Sequence, residues 1–347
     1  MIRTKTDNCP LPERQSPIKV IDMHTGGEPL RIITSGYPTI PGDDILAKRR
    51  YAREHLDHLR KFLMFEPRGH YDMYGAVLIA PSLPDADLAV LFIHNEGYST
   101  MCGHAILALG RYAVDYGMVT PVEPITNVNI ECPCGLVRAE VEVTKGKTGA
   151  VRFKSVLCFM FAGDLVLTLA DGKTFKTDIG YGGAFYAILD AEQFGLKVGV
   201  SPVRELVDIA QSVCKTVNAN INLSHPDHKD LAFLYGAILT DGKDAWSEEP
   251  TRNICVFADN QVDRSPTGSG VSARLAIQHA KGLIVPCPQS SPKYQAKLIT
   301  AAKRRSGTKK MTASDAASSC VRASLNNALL LKKKGMRHLP HPFSIFA

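Results

Sequence analysis

The sequence predicts an α/β chain of many short mixed strands and few helices, and three observations carry that prediction. Apolar, strand-like runs at 75–80 (GAVLIA) and 88–93 (LAVLFI) follow each other with no helical pattern between them. From 128 to about 190, short strands alternate with turns: VNIECP, LVRAEVEV, AVRFKSV, FKTDI and AFYAIL. Helical spacing is confined to a few segments, so the regular strand–helix alternation of a doubly wound sheet is missing.

Taken in order, residues 18–34 (KVIDMHTGGEPLRIITS) read as strand, turn and strand, with Gly26-Gly27 giving the turn its conformational freedom. Asp43-Asp44 predicts the cap of a helix running to about Met64, with Leu46, Leu56, Leu59 and Leu63 at helical spacing. The charged face at 47–61 (KRRYAREHLDHLRK) is expected to face solvent. After the two apolar strands a Gly-rich approach opens a second helix at Cys102, carrying Ile106, Leu107, Leu109, Tyr112 and Ala113. Residues 202–221 suit a further helix, 232–240 and 253–258 strands, and the segment after Thr267 a last helix. Cys132-Pro133-Cys134 is read as a turn between strands, because a C-x-C without partner ligands is a weak metal motif. Tyr186, in the GGAFYA strand, is a candidate for either the wall of a cleft or the core, and His24 for a site residue or a turn histidine.

Composition narrows the function classes. The chain has 347 residues, 45% hydrophobic and 22% charged, enough for two ordinary domains. The boundaries expected are 1–130, 131–284 and a tail, 285–347. No apolar run approaches the ~20 residues of a membrane helix. The polar start, MIRTKTDNCPLPERQ, has no apolar leader region. With nine cysteines, an odd count, reduced thiols in a cytoplasmic enzyme are expected. The net charge of +7 is unevenly placed. Of 41 Lys and Arg residues, 12 lie from Val285 onward against a single acidic residue there, Asp315; that segment carries +11 and residues 1–284 carry −4. Basicity therefore describes the tail alone, and specific nucleic-acid binding is not expected. The tail itself, rich in Ala, Ser and Lys and without sustained periodicity, reads as poorly ordered.

Two segments carry chemistry. Met101-Cys102-Gly103-His104 places a thiol where a helix begins, and unpaired N–H groups there favour a thiolate. Gly103 permits close approach to the backbone, and the same N–H groups make a carboxylate site. Asp263-Arg264-Ser265-Pro266-Thr267-Gly268-Ser269-Gly270 is a second Gly-rich entry to a helix, without the Gly-Lys-Ser/Thr ending of a phosphate loop. The two segments echo each other: a polar approach, a Cys or Thr followed by Gly, then an Ala-rich helix. Two related half-sites meeting across a cleft are the expectation.

Four motifs in this order resemble the proline racemase family: Asp22-Met23-His24-Thr25-Gly26-Gly27-Glu28-Pro29, Met101–His104, Gly182-Gly183-Ala184-Phe185-Tyr186-Ala187 and Asp263–Gly270. The likeness covers roughly 18–284 and is greatest to the hydroxyproline-dehydrating branch. It implies two pseudo-symmetric halves, each a curved mixed sheet or barrel around a central helix, as in diaminopimelate epimerase, with the active site between them. Racemases and epimerases of the family use two cysteines, one on each face of the substrate Cα; here those positions hold Cys102 and Thr267. A threonine hydroxyl does no acid–base work near neutrality. The resemblance therefore implies dehydration of trans-3-hydroxy-L-proline to Δ1-pyrroline-2-carboxylate, with Cys102 removing the α-proton. It further implies carboxylate binding by Gly103-His104 and Gly268-Ser269, acceptance from the ring NH2+ by Asp263, no metal or cofactor, and a small imino acid as partner, with a homodimer in keeping. Two alternatives stay open on the residues alone: a proline or hydroxyproline racemase or epimerase, and an inactive chain whose basic tail binds acidic partners.

Overall fold

The computed structural model describes residues 17–245 and 249–284, and three backbone segments beyond them. The polar start of the chain and most of the 285–347 tail, where poor order is expected, lie outside the described residues.

The first half begins with β1 (Lys19–Thr25) and β2 (Glu28–Ser35), an antiparallel hairpin turned by Gly26 and Gly27, both at positive φ. Two helices follow where the sequence suggests one: α1 (Ile45–His55) and α2 (Asp57–Met64), broken at Leu56. Asp44 caps α1 as expected, its carboxylate accepting from Ala47 N at 2.7 Å. The charged face does not lie wholly in solvent. Arg49 and Arg60 are buried, donating to Tyr98 O (2.6 Å) and His94 O (2.9 Å). Buried carbonyls at the ends of strands need donors, and long arginine stems reach them.

The sheet continues through β3 (Tyr74–Ile79), β4 (Leu88–His94) and β5 (Gly97–Ser99), then α3 (Gly103–Asp115), then β6 (Ile125–Cys132), β7 (Gly135–Thr144) and β8 (Lys147–Lys154). β2 pairs with β3 in parallel, β3 with β4 and β4 with β5 antiparallel, and β4 with β6 in parallel; β6, β7 and β8 form a meander. Cys132-Pro133-Cys134 is the β6–β7 turn, and residue 130 lies inside β6. The sheet curls round α3, of whose 13 residues 11 are buried. A helix apolar on every side must be enclosed, and Ala105, Ile106 and Leu109, all 0% exposed, are.

The second half repeats this order. β9 (Phe159–Thr168), β10 (Thr174–Tyr181) and β11 (Phe185–Asp190) pair antiparallel. α4 (Val203–Asn220) connects β11 to its parallel neighbour β12 (Leu234–Thr240); β13 (Thr251–Phe257) and β14 (Gln261–Val262) follow antiparallel, then α5 (Gly268–Ala280). α5 also has 11 of its 13 residues buried. The described backbone segments supply β15 (Ala296–Thr300), parallel to β13, then β16 (Val321–Ser324) and β17 (Ser344–Phe346), each antiparallel to the last. β17 pairs with β8 and joins the two halves. Strand for strand, β10–β17 reproduce the pairing of β1–β8, and α5 occupies the place of α3. The repeat that the sequence showed only around Cys102 and Thr267 is a repeat of topology.

α1 and α2 cover β4 from outside, and α4 covers β12 and β13. The inner helices are thereby left free to point their N-termini at each other.

Candidate active site

Cys102 is the N-cap residue of α3 and Thr267 the N-cap residue of α5. Because the halves repeat, both helices start at the same place in their sheets and meet head to head. A Cβ on Gly103 would come within 3.1 Å of Gly268 Cα, so a side chain there would push the two N-termini apart. Ile106 N and Val271 N are the first to find intrahelical carbonyls, those of Cys102 and Thr267. The N–H groups of Gly103, His104, Gly268 and Ser269 therefore precede the helical ladder on both sides, as an anion site requires. Thr100, donating through Oγ1 to Gly183 O at 2.6 Å, ties the approach to Cys102 to the second half. Gly183 stands at φ +101, and a Cβ there would lie 2.6 Å from Met101 Cγ, so a glycine is required.

Between the helix ends lies a cleft lined by Cys102, Gly103, His104, Asp263, Thr267, Gly268 and Ser269, every residue to which the resemblance gives a part in catalysis or binding. Tyr186 also lines it, its hydroxyl 2.7 Å from Ser269 Oγ. His24 does not join them; it is exposed at the end of β1, opposite Pro29.

Cys102 is 6% exposed, and its Sγ stands 3.1 Å from His104 Nδ1. His104 Nε2 is 3.3 Å from Pro29 O. A carbonyl only accepts, so Nε2 carries the proton and the Nδ1 lone pair faces the thiol. Burial pushes the Cys102 thiol well above its ordinary range, and the charges of Asp263 and Glu28 push the same way; the Ala105 N–H and Tyr74 hydroxyl oppose them. The helix start thus does not by itself give the thiolate expected from sequence. Desolvation outweighs the dipole, and the group is a thiol donating to neutral His104.

Thr267 sits at φ +55, a left-handed conformation costly for a β-branched residue. Its neighbours hold it there. Thr267 Oγ1 donates to Asp263 Oδ2 at 2.7 Å, and Thr267 N donates to Ser265 Oγ at 3.1 Å. Ser265 N donates in turn to Asp263 Oδ1 at 2.7 Å. The hydroxyl opposite Cys102 is therefore committed to a carboxylate. Cys255, near enough for its ionisation to feel Thr267, is buried on β13 at 1% exposure.

Three polar residues of the cleft were missed by the sequence motifs' chemistry. Glu28 is 3% exposed, accepts from Arg264 N at 2.7 Å, and is pushed well above the carboxylate range by burial and by Asp263. A signal was present: Glu28, Leu30 and Ile32 alternate along β2 and share its buried face. Tyr74 and Tyr235 line the cleft too, but as single tyrosines in apolar strands nothing set them apart. Among the described residues no group of three or more His, Cys, Asp or Glu stands together as a metal site.

The buried imidazoles give a testable pH dependence. Burial lowers His94 to about 3 and His104 to about 4, from 6.5. The unfolded chain takes up these protons near pH 6.5 and the native protein only well below it, so the stability they allow is full above 6.5 and lost as pH falls toward 4. Glu28 and Asp72, both raised by burial, act oppositely, their stabilising protonation fading as pH rises, but His225 and His279 are lowered by burial as well, so four imidazoles stand against two carboxyls. The melting temperature is therefore expected to fall between pH 7 and pH 5, with a shallower fall in His94→Gln; equal slopes in the two proteins would contradict the assignment.

Comparison with known proteins points to one family. The family model described as proline racemase matches residues 20–293. The chain is 60% identical over 276 residues to trans-L-3-hydroxyproline dehydratase of Xenopus tropicalis, covering 79% of each chain. It is 59% identical over 272 residues to trans-3-hydroxy-L-proline dehydratase of Homo sapiens, covering 77% of each. Among solved structures, a probable proline racemase from Agrobacterium radiobacter with bound carbonate superposes with a TM-score of 0.81 at 25% identity, over 95% of this chain and 89% of that one. No helix of the described residues is long and apolar enough to cross a membrane. With a matching model over most of its length, relatives near 60% identity and the paired helix starts between two repeated halves, the chain belongs to the proline racemase family.

Proposed function

We infer that the chain is a hydro-lyase that converts trans-3-hydroxy-L-proline to Δ1-pyrroline-2-carboxylate and water. The observation that carries this reading is the pair Cys102 and Thr267 at the two facing helix starts, one an acid–base group and the other a hydroxyl already bound to Asp263. Inversion at Cα needs a proton acceptor on one face and a donor on the other. At the second helix start the residue facing Cys102 is a hydroxyl with no usable acidity, so the carbanionic intermediate is resolved by losing the 3-hydroxyl instead. The dehydratase names of the relatives near 60% identity support the same choice over racemisation.

In this reading the substrate carboxylate lies between the free N–H groups of Gly103, His104, Gly268 and Ser269, and its ring NH2+ faces Asp263. The carboxylate becomes enediolate-like as the α-proton leaves, and fixed N–H groups aimed at it stabilise that charge by several kcal/mol. The ring cation beside Asp263 offsets one of the charges that hold Cys102 in its thiol form, so binding itself favours the thiolate. Loss of the hydroxyl leaves the enamine, which tautomerises to the cyclic imine. We place this activity in the cytoplasm, a reading supported by six free cysteines among the described residues. Incubating the purified chain with trans-3-hydroxy-L-proline tests the function: pyrroline-2-carboxylate is the expected product, and a folded protein that forms none overturns the reading.

A further inference from the structure

Tyr74 stands in the wall of the cleft beside Cys102, and its hydroxyl is an anomaly. The residue is 4% exposed, and its hydroxyl oxygen, buried, has no hydrogen-bond partner. Ser99, Tyr235 and Cys102 are close enough for it to affect their ionisation or be affected by them, but none offers a bond of good geometry. The Ser99 hydroxyl is occupied, donating to Met101 O at 3.1 Å. Aromatic neighbours fix the ring: His104 packs edge-on at 5.0 Å, His94 stacks at 5.8 Å and Phe257 lies at 6.4 Å. A buried hydroxyl left unpaired is destabilising. A phenylalanine would fill the space without that cost.

The chemistry of the substrate supplies a partner. In trans-3-hydroxy-L-proline the hydroxyl and the carboxylate lie on opposite faces of the ring, so the hydroxyl and the α-hydrogen share a face. The base that takes the α-hydrogen therefore stands on the side from which the hydroxyl departs. On that side His104 has its one N–H committed to Pro29 O. Tyr74 has a free donor there. Resting on the dehydratase reading above, we propose that the Tyr74 hydroxyl recognises the substrate 3-hydroxyl, donating a hydrogen bond to the C3 oxygen and holding it as the C3–O bond breaks.

The step balances without any further reagent. Cys102 first passes its thiol proton to the facing Nδ1 lone pair of His104, 3.1 Å away; the thiolate then takes the α-proton, and the C2–H electron pair becomes the C2=C3 bond. The C3–O pair leaves on oxygen, which takes the proton back from Cys102 and departs as water. The thiolate is regenerated, and Tyr74 donates throughout without losing its proton. Burial favours that division of labour, since it holds Tyr74 well above its ordinary range, a donor and not an acid.

Tyr74→Phe in the full chain tests this, read by dehydration kinetics and by binding of pyrrole-2-carboxylate, a planar analogue with no 3-hydroxyl. The kcat/KM for trans-3-hydroxy-L-proline is expected to fall at least about tenfold. Affinity for pyrrole-2-carboxylate is expected to stay within about twofold, and the melting temperature not to fall, because an unpaired hydroxyl has been removed. An active parent with an equally active Tyr74→Phe overturns the assignment of Tyr74 alone, as does parallel loss of pyrrole-2-carboxylate binding. A parent that folds but does not dehydrate overturns the dehydratase reading and this proposal with it.

Discussion

Cys102→Ser is expected to lower kcat for dehydration by about 10³-fold or more while leaving the protein folded. A hydroxyl is smaller than a thiol and crowds nothing, and no cap hydrogen bond of α3 depends on the Cys102 side chain, so the helix start keeps its shape. What is lost is acidity. A serine hydroxyl beside neutral His104 does not ionise near neutrality, and the enclosed site that already disfavours a thiolate disfavours an alkoxide more. The check is single-turnover dehydration alongside a thermal melt. Activity within about tenfold of the parent would move the base to another residue, with Glu28 the next carboxyl in the cleft.

Thr267→Cys carries the second large effect, and it is a gain. A thiol at the start of α5 would face the Cα from the side opposite Cys102 and return a proton there. The expected result is formation of the C2 epimer, cis-3-hydroxy-D-proline, at least about tenfold above the parent's trace level. The fold should tolerate it. The substitution gives up the 2.7 Å bond to Asp263, but it also relieves a β-branched residue at φ +55. Chiral chromatography of the recovered imino acid reads the outcome directly. Unchanged stereochemistry in an active Thr267→Cys protein would mean that position 267 does not face the substrate.

The outline of this fold was readable because its local signals are strong. Asp44, the two apolar strands of the first half, and the helix entries at Cys102 and Thr267 all stand where their caps and periodicity put them. The break at Leu56 was not readable: beyond it Arg60 turns inward, paired within its own helix to Asp57, and donates to the His94 and Asn95 carbonyls, tertiary contacts that local periodicity does not encode. The site was half legible. Cysteine, threonine and glycine at helix starts announce themselves through local chemistry. Tyr74 and Glu28 do not, because each looks like an ordinary strand residue until a curved sheet aims it into the cleft. The thiol's resting state was misjudged for a related reason. The helix terminus is local and favours ionisation, whereas the burial that opposes it comes from the whole enclosure.

The account rests on one proton acceptor serving one face of the substrate. Following trans-3-hydroxy-L-proline turnover by the unmodified chain in D2O tests it most directly, with product and residual substrate both analysed. Pyrroline-2-carboxylate should accumulate while the residual substrate keeps its L configuration at C2. Appearance of cis-3-hydroxy-D-proline at a rate comparable to dehydration would contradict the single-base site.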